Sequence, residues 1–141
     1  MRRALIDLNV VLDVLLDREG HVEASSALWS HIELGEAEGL LAAHSVPTLY
    51  YLVAKARGRP FAERCVADVM GVFGVAAVGR DVLREAVGLG WADFEDAVTA
   101  TAGMAAGCEL IATRDPKGFQ HAALPALTPA AALLALRTPS R

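Results

Sequence analysis

The chain has 141 residues, 54% of them hydrophobic but only 6% aromatic, so alanine, leucine and valine must fill its core. That length suits one domain with a single sizeable core, expected over residues 1–141. A formal net charge of −4 excludes nucleic-acid binding through bulk positive charge, but not through a local basic patch or a divalent cation held by acids.

In chain order, residues 3–7 read as a short buried strand ending at Asp7, and 9–17 as a helix with Val10, Val11, Val14 and Leu15 apolar. "HVEASSALWSHIELGEAEG" is a helix stopped by Gly39, and "LLAAH" a second short strand. Ser45 is a plausible N-cap with Pro47 in the first turn, opening a helix through "TLYYLVAKA" that ends before Gly58. Pro60 starts another helix; "VFGVAAVG" reads as a strand and "RDVLREAVGLG" as a helix closed by glycine. "DFEDAVTATAGMAAG" is a helix capped by Asp93 or a neighbour, with Gly107 as its stop. "CELIAT" is a strand, "RDPKGFQ" a turn, "ALPALTP" holds a last small strand, and "PAAALLALR" closes the chain as a helix before a frayed tail at 138–141. Strands alternating with helices predict an α/β fold with a mainly parallel sheet.

Arg2-Arg3 before an apolar stretch imitates a secretory leader, but Asp7, Asn9, Asp13 and Asp17 interrupt it and no small-residue cleavage site follows. "AALPALTPAAALLAL" is too short, and too broken by Pro125 and Pro129, to span a bilayer. Cys65 and Cys108 lack metal-ligand spacing and read as reduced thiols. A cytoplasmic protein without membrane contact is the expectation.

The acids carry the chemistry. In open α/β sheets the carboxyl ends of the strands form one edge, where ligands bind. Asp7 ends the first strand, Asp115 lies two residues past "LIAT", and Asp93 and Asp96 share one face near the start of their helix. Carboxylates gathered there repel one another unless a cation sits between them. Mg²⁺ or Mn²⁺ accepts oxygen ligands and keeps waters for a phosphate-bearing substrate, which points to metal-assisted phosphodiester hydrolysis. Plainer readings stand beside this one. Asp93 suits an N-cap, Asp115 before Pro116 suits a turn, and Asp13 and Asp17 are expected to face solvent, with bracing of its helix as the alternative for Asp13. Asp96 is harder to dismiss, because Ala97, Val98, Ala100, Thr101 and Ala102 make its helix close-packed.

"LIDLNVVLDVLLDR", "DFEDAVTATA" and "LIATRDPKGF", in that order over nearly the whole chain, resemble the PIN domain, including VapC-type toxins of bacterial toxin–antitoxin pairs. The family's Asp-x-Asn-Val opening is matched by Asp7, Asn9 and Val10. Its helical Asp is matched by Asp96, and its Thr-x-Asp with a downstream Phe by Thr113, Asp115 and Phe119. The resemblance implies a three-layer α/β/α fold with a parallel sheet of four to five strands, an acidic pocket for Mg²⁺ or Mn²⁺, and endonucleolytic cleavage of RNA. It implies that Asp7, Asp96 and Asp115 bind the metal or orient the attacking water, with Asp93 as an additional ligand. Asn9 would hold the Asp7 loop in shape and Thr113 would hydrogen-bond a ligand carboxylate. It also implies a small antitoxin as partner, and a homodimer.

One departure stands out. The family usually carries a Glu within a Ser-x-x-Thr-x-x-Glu-like stretch after the second strand, where "SVPTLYYLVAK" has Tyr50 and Tyr51. His44 precedes that helix, either as an ordinary junction residue or as a contributor to the site. The tyrosines read as core packing or as base-stacking groups. Basic residues for an RNA groove are Arg57, Arg59, Arg114 and Lys117, with Arg18 and Lys55 nearby. Two other classes remain open at this stage. One is a PIN-like module, weakened by the missing Glu, that binds RNA or a protein partner. The other is a phosphoryl-accepting domain using Asp7, which lacks the expected acidic pair before its nucleophile.

Overall fold

The computed structural model describes residues 1–139; of the tail expected to fray, residues 140 and 141 lie outside the described residues. The elements in order are β1 (Arg3–Ile6), α1 (Leu8–Leu15), α2 (Val22–Glu33), β2 (Glu38–Ala42), α3 (Ser45–Arg57), α4 (Arg59–Val72), β3 (Gly74–Ala76), α5 (Arg80–Leu89), α6 (Phe94–Ala105), β4 (Leu110–Ala112), a 3₁₀ turn (Pro116–Phe119), β5 (Ala126–Leu127) and α7 (Pro129–Arg137). The five strands form one parallel sheet in the order β3-β2-β1-β4-β5. Every expected element is present, and the strands other than β2 are shorter than their apolar runs. However, α2 ends at Glu33 before the left-handed Gly35, and Gly39, expected as its stop, lies inside β2. Ser45 is the first residue of α3 rather than its cap, with His44 in the cap position.

Alternation along the strands sends side chains to two cores. In β1, Ala4 and Ile6 join a cluster with α1, α2, α3, α4 and α7, while Leu5 faces the opposite cluster with Ala100 of α6. β4 repeats the pattern, with Leu110 and Ala112 on the first side and Ile111 on the second. This period of two is what a strand buried on both faces requires, and it yields the three-layer α/β/α arrangement. With few aromatics, small residues let the layers approach closely. A Cβ at Gly103 of α6 would collide with the Leu5 side chain, so glycine there sets how near α6 lies to the central strand. Gly90, in the left-handed region at φ 68°, ends α5. Cys65 and Cys108 are buried free thiols.

Candidate metal centre

The chain winds outward from β1 to β3 and then crosses back to β4, so the strand order reverses between β1 and β4. The carboxyl ends flanking such a reversal form a crevice. Asp7 follows β1 directly, and its N–H donates to the Ala112 carbonyl of β4 at 2.9 Å. Thr113, fully buried, follows β4. Its hydroxyl donates to Asp7 Oδ2 at 2.8 Å, and the same Oγ1 accepts from the Asp115 backbone N–H at 3.0 Å. One buried hydroxyl thus ties together the two strand ends that carry carboxylates. Burial pushes the Asp7 carboxyl above its ordinary range. The Thr113 hydrogen bond opposes that rise, and the neighbouring Asp115 adds to it.

Asp96 comes from the third side. Asp93 caps α6, its Oδ1 accepting the Asp96 N–H at 3.0 Å, and this fixes the first turn. From Ala97 to Gly103 the helix is buried, so its placement against the sheet is rigid and Asp96 is carried to the rim. Its carboxyl is pushed up to about 7, first by burial, then by the charges of Asp93, Asp7 and Asp115. Gly118, in the 3₁₀ turn, closes the cradle: a Cβ there would lie 2.9 Å from Asp115 Oδ2 and 3.3 Å from Asp96 Oδ2. Carboxylates from α6 and from the loop after β4 therefore face the same point.

The donor set is all oxygen, and mutual repulsion destabilises its ionised form, as suits a hard divalent cation. Among the described residues, no three acidic, histidine or cysteine side chains already close to direct coordination of one ion. Mg²⁺ commonly uses one or two carboxylates and fills its remaining positions with water. Asp96 and Asp115 at the Gly118 cradle fit that need.

Other expected residues fall elsewhere. Among the described residues no side-chain hydrogen bond joins Asn9 to Asp7; that bond comes from Thr113. Asp93 acts as the helix cap. Tyr50 is half-buried and packs against the main core, whereas Tyr51 is 71% exposed. Arg57 lies over the Phe61 ring at 4.4 Å, and Arg59 pairs with Glu63 at 2.9 Å. Lys117 is exposed in the 3₁₀ turn beside Asp115. His44, at the carboxyl end of β2, has Nε2 3.3 Å from Thr99 Oγ1, one turn along α6 from Asp96.

The expectation that Asp13 faces solvent is overturned, since its side chain is fully buried. Ser25 Oγ donates to its Oδ2 at 3.0 Å, and Arg114 Nε lies 3.0 Å from the same oxygen. Arg114 is therefore engaged inside the fold. The signal was in the sequence: α1 is apolar on nearly every side, and such a helix is buried all round. Gly118 carried no comparable signal, because its closeness to Asp96 exists only after folding.

A family model described as PIN domain matches residues 3–117. No match was found among curated proteins. Among solved structures, the chain is similar to Mycobacterium tuberculosis VapC20, described as a sarcin-ricin loop cleaving toxin, at 14% identity and a TM-score of 0.70, covering 84% of this chain and 94% of that one. It is similar to VapBC2 from Rickettsia felis, solved with a promoter DNA fragment, at 10% identity and 0.71, covering 89% and 98%. FitAcB from Neisseria gonorrhoeae follows at 19% identity and 0.67, covering 89% and 97%. At these identities the likeness is one of fold.

Proposed function

The chain belongs to the PIN domain family, and from that premise we propose that it is a metal-dependent endoribonuclease, the toxin of a toxin–antitoxin pair. The observation that carries this reading is the meeting of Asp7, Asp96 and Asp115 at the β1/β4 reversal, close enough that the charge of Asp115 makes Asp7 a weaker acid and the charges of Asp7 and Asp115 do the same to Asp96. The likeness of fold to VapC20, described as a cleaving toxin, and to a toxin–antitoxin complex from Klebsiella pneumoniae (17% identity, TM-score 0.66) supports it.

In this reading Asp96 and Asp115 hold Mg²⁺ or Mn²⁺, and Asp7 orients the attacking water. When bound, the ion makes that water more acidic and offsets charge on the phosphate. Hydrolysis would form the bond from water oxygen to phosphorus and break the bond to the departing ribose oxygen, with the rim of carboxylates taking up the water's proton and returning one to that oxygen. Thr113 holds Asp7 and the Asp115 backbone in place throughout, so no reorganisation is needed at the moment of reaction. Asp93 serves by fixing the turn that carries Asp96. Lys117, with Arg57 and Arg59 further off, supplies positive charge for the RNA backbone in a chain that is otherwise acidic.

A small antitoxin is the proposed partner and a homodimer the proposed assembly, with the cytoplasm as the site of action. Among the described residues no helix is long and apolar enough to cross a membrane. The test is a Mn²⁺ and Mg²⁺ titration read by thermal shift and by RNA cleavage, with Asp96→Asn as the control. If neither metal changes stability or cleavage relative to the variant, the reading is refuted. One observation favours a second reading: Tyr51, where the family has its Glu, is 71% exposed, so α3 adds no carboxylate there. A weakened module that binds RNA or a protein is then expected to retain RNA in EDTA and never to cleave it.

A further inference from the structure

Asp13 is the fully buried carboxylate of the described residues, on the same helix that Asp7 caps. An ionised carboxylate inside a fold is unfavourable unless paired, and apolar residues of similar size commonly replace such pairs without loss of stability. Its presence in an apolar helix therefore calls for a reason beyond folding. Its partners supply one. Oδ2 takes the Ser25 hydroxyl and faces Arg114 Nε, both at 3.0 Å, and Oδ1 lies 3.6 Å from Arg18 Nη1. Arg114 stands between Thr113 and Asp115, the two residues that build the β4 side of the metal centre. Its Nε–H makes no well-aligned hydrogen bond despite the short distance, so charge rather than direction holds the guanidinium. That charge already reaches Asp7, whose acidity it strengthens.

We propose that Asp13 is a positioning residue that keeps the Arg114 guanidinium inside the fold, off the carboxylates of Asp7, Asp96 and Asp115, so that these stay free to take a cation. The inference rests on the metal-centre reading above. Arginine and carboxylate form strong two-point pairs, and besides Asp13 the carboxylates beside Arg114 are Asp115, its neighbour in the chain, and Asp7, which its charge already reaches. Released from Asp13, the guanidinium would pair with them and compete with the ion. The dependence is electrostatic and local, which separates it from a general contribution to folding.

The test is Mn²⁺ binding to the full chain, measured as loss of the free-ion electron paramagnetic resonance signal. It is run in about 0.5 M KCl, where charges more than a few ångströms apart are screened. Asp13→Asn is expected to weaken binding by about tenfold, the lower range for a close charge pair. Adding Arg114→Gln to it is expected to restore binding to within about twofold of Arg114→Gln alone. Circular dichroism confirms that each variant is folded. Unchanged binding in Asp13→Asn overturns the inference, and so does a double variant as weak as Asp13→Asn, which is what a purely structural role produces. Should Asp13→Asn fail to fold, Arg114→Gln decides alone: binding at or above wild type supports sequestration, and a loss of about tenfold shows that Arg114 serves the ion directly and overturns it. A folded wild type without saturable Mn²⁺ binding removes the metal-centre reading and this inference together, an outcome distinct from all the others.

Discussion

Replacing Gly118 by alanine puts a methyl group into the space that Asp96 and Asp115 face. The backbone there is not left-handed, so alanine fits the chain. The new Cβ would lie 2.9 Å from Asp115 Oδ2 and 3.3 Å from Asp96 Oδ2, against 3.4–4 Å for ordinary contact. The Asp115 carboxylate must rotate to relieve this, at a cost of about 0.5–1.5 kcal/mol for leaving its rotamer. Reduced freedom of the unfolded chain offsets about 0.4–1 kcal/mol of that. Stability in EDTA should therefore change by less than about 1 kcal/mol. Metal binding has no such offset, because the methyl stands where an ion and its waters would sit. A displaced carboxylate should weaken Mn²⁺ affinity by roughly 10–100-fold, equivalent to about 1.4–2.7 kcal/mol. Calorimetric titration with Mn²⁺, beside urea denaturation in EDTA, separates the two effects. Gly88→Ala is the control, since a Cβ there meets nothing within 4 Å; this helical site should gain about 0.5–1 kcal/mol and bind metal normally. Wild-type Mn²⁺ affinity in a folded Gly118→Ala would refute the placement of the ion between Asp96 and Asp115.

Thr113→Val keeps the shape but strips the Asp115 N–H and Asp7 Oδ2 of their shared partner, and should cost about 1–3 kcal/mol of stability by denaturant titration. That hydrogen bond holds Asp7 down, so its loss should also move the acid limb of the cleavage–pH profile to higher pH; an unmoved limb argues against Asp7 as a titrating site group. Asp96 is protonated more readily folded, at about 7, than at its ordinary 3.8. The unfolded chain thus releases that proton first, and the metal-free protein should lose stability as pH rises from 3.8 to about 7 and level off above. Asp96→Asn should remove this slope in EDTA melts, and an identical slope in the variant would assign it to other groups. Cys65 and Cys108 are 3% and 6% exposed, and burial raises both thiols, Cys108 to about 11. Neither should react with an aromatic disulfide reagent at pH 8 until the protein is denatured, and prompt native reaction would contradict their burial.

Much of this was legible in the residues. Apolar stretches and turn residues marked every strand and helix, because hydrophobic period and turn chemistry are local properties, although Gly39, expected to stop α2, lies inside β2. Asp7 and Asp96 stood out because each adjoins an apolar or small-residue run where a plain core has no use for charge, and Asp115 because it follows the carboxyl end of a strand. Asp93 as the cap of α6 was equally local. Asp13 misled, since Asp is usually solvated, and only the apolar surroundings of α1 betrayed its burial. The bond from Thr113 to Asp7 spans 106 positions, and no local rule assigns it.

By itself, then, the sequence determined which segments become strands and helices and which acids stand at their ends, since both depend on neighbours within a turn or two. The tertiary structure decided which of those acids meet. The strand order brings β4 beside β1, α6 packs across them at the distance Gly103 permits, and Thr113 then reaches Asp7 while Gly118 leaves room beside Asp96 and Asp115. It also decided that Arg114 turns inward to Asp13. Coulomb and hydrogen-bond energies fall off within a few ångströms, so they exist only once the chain has closed those distances.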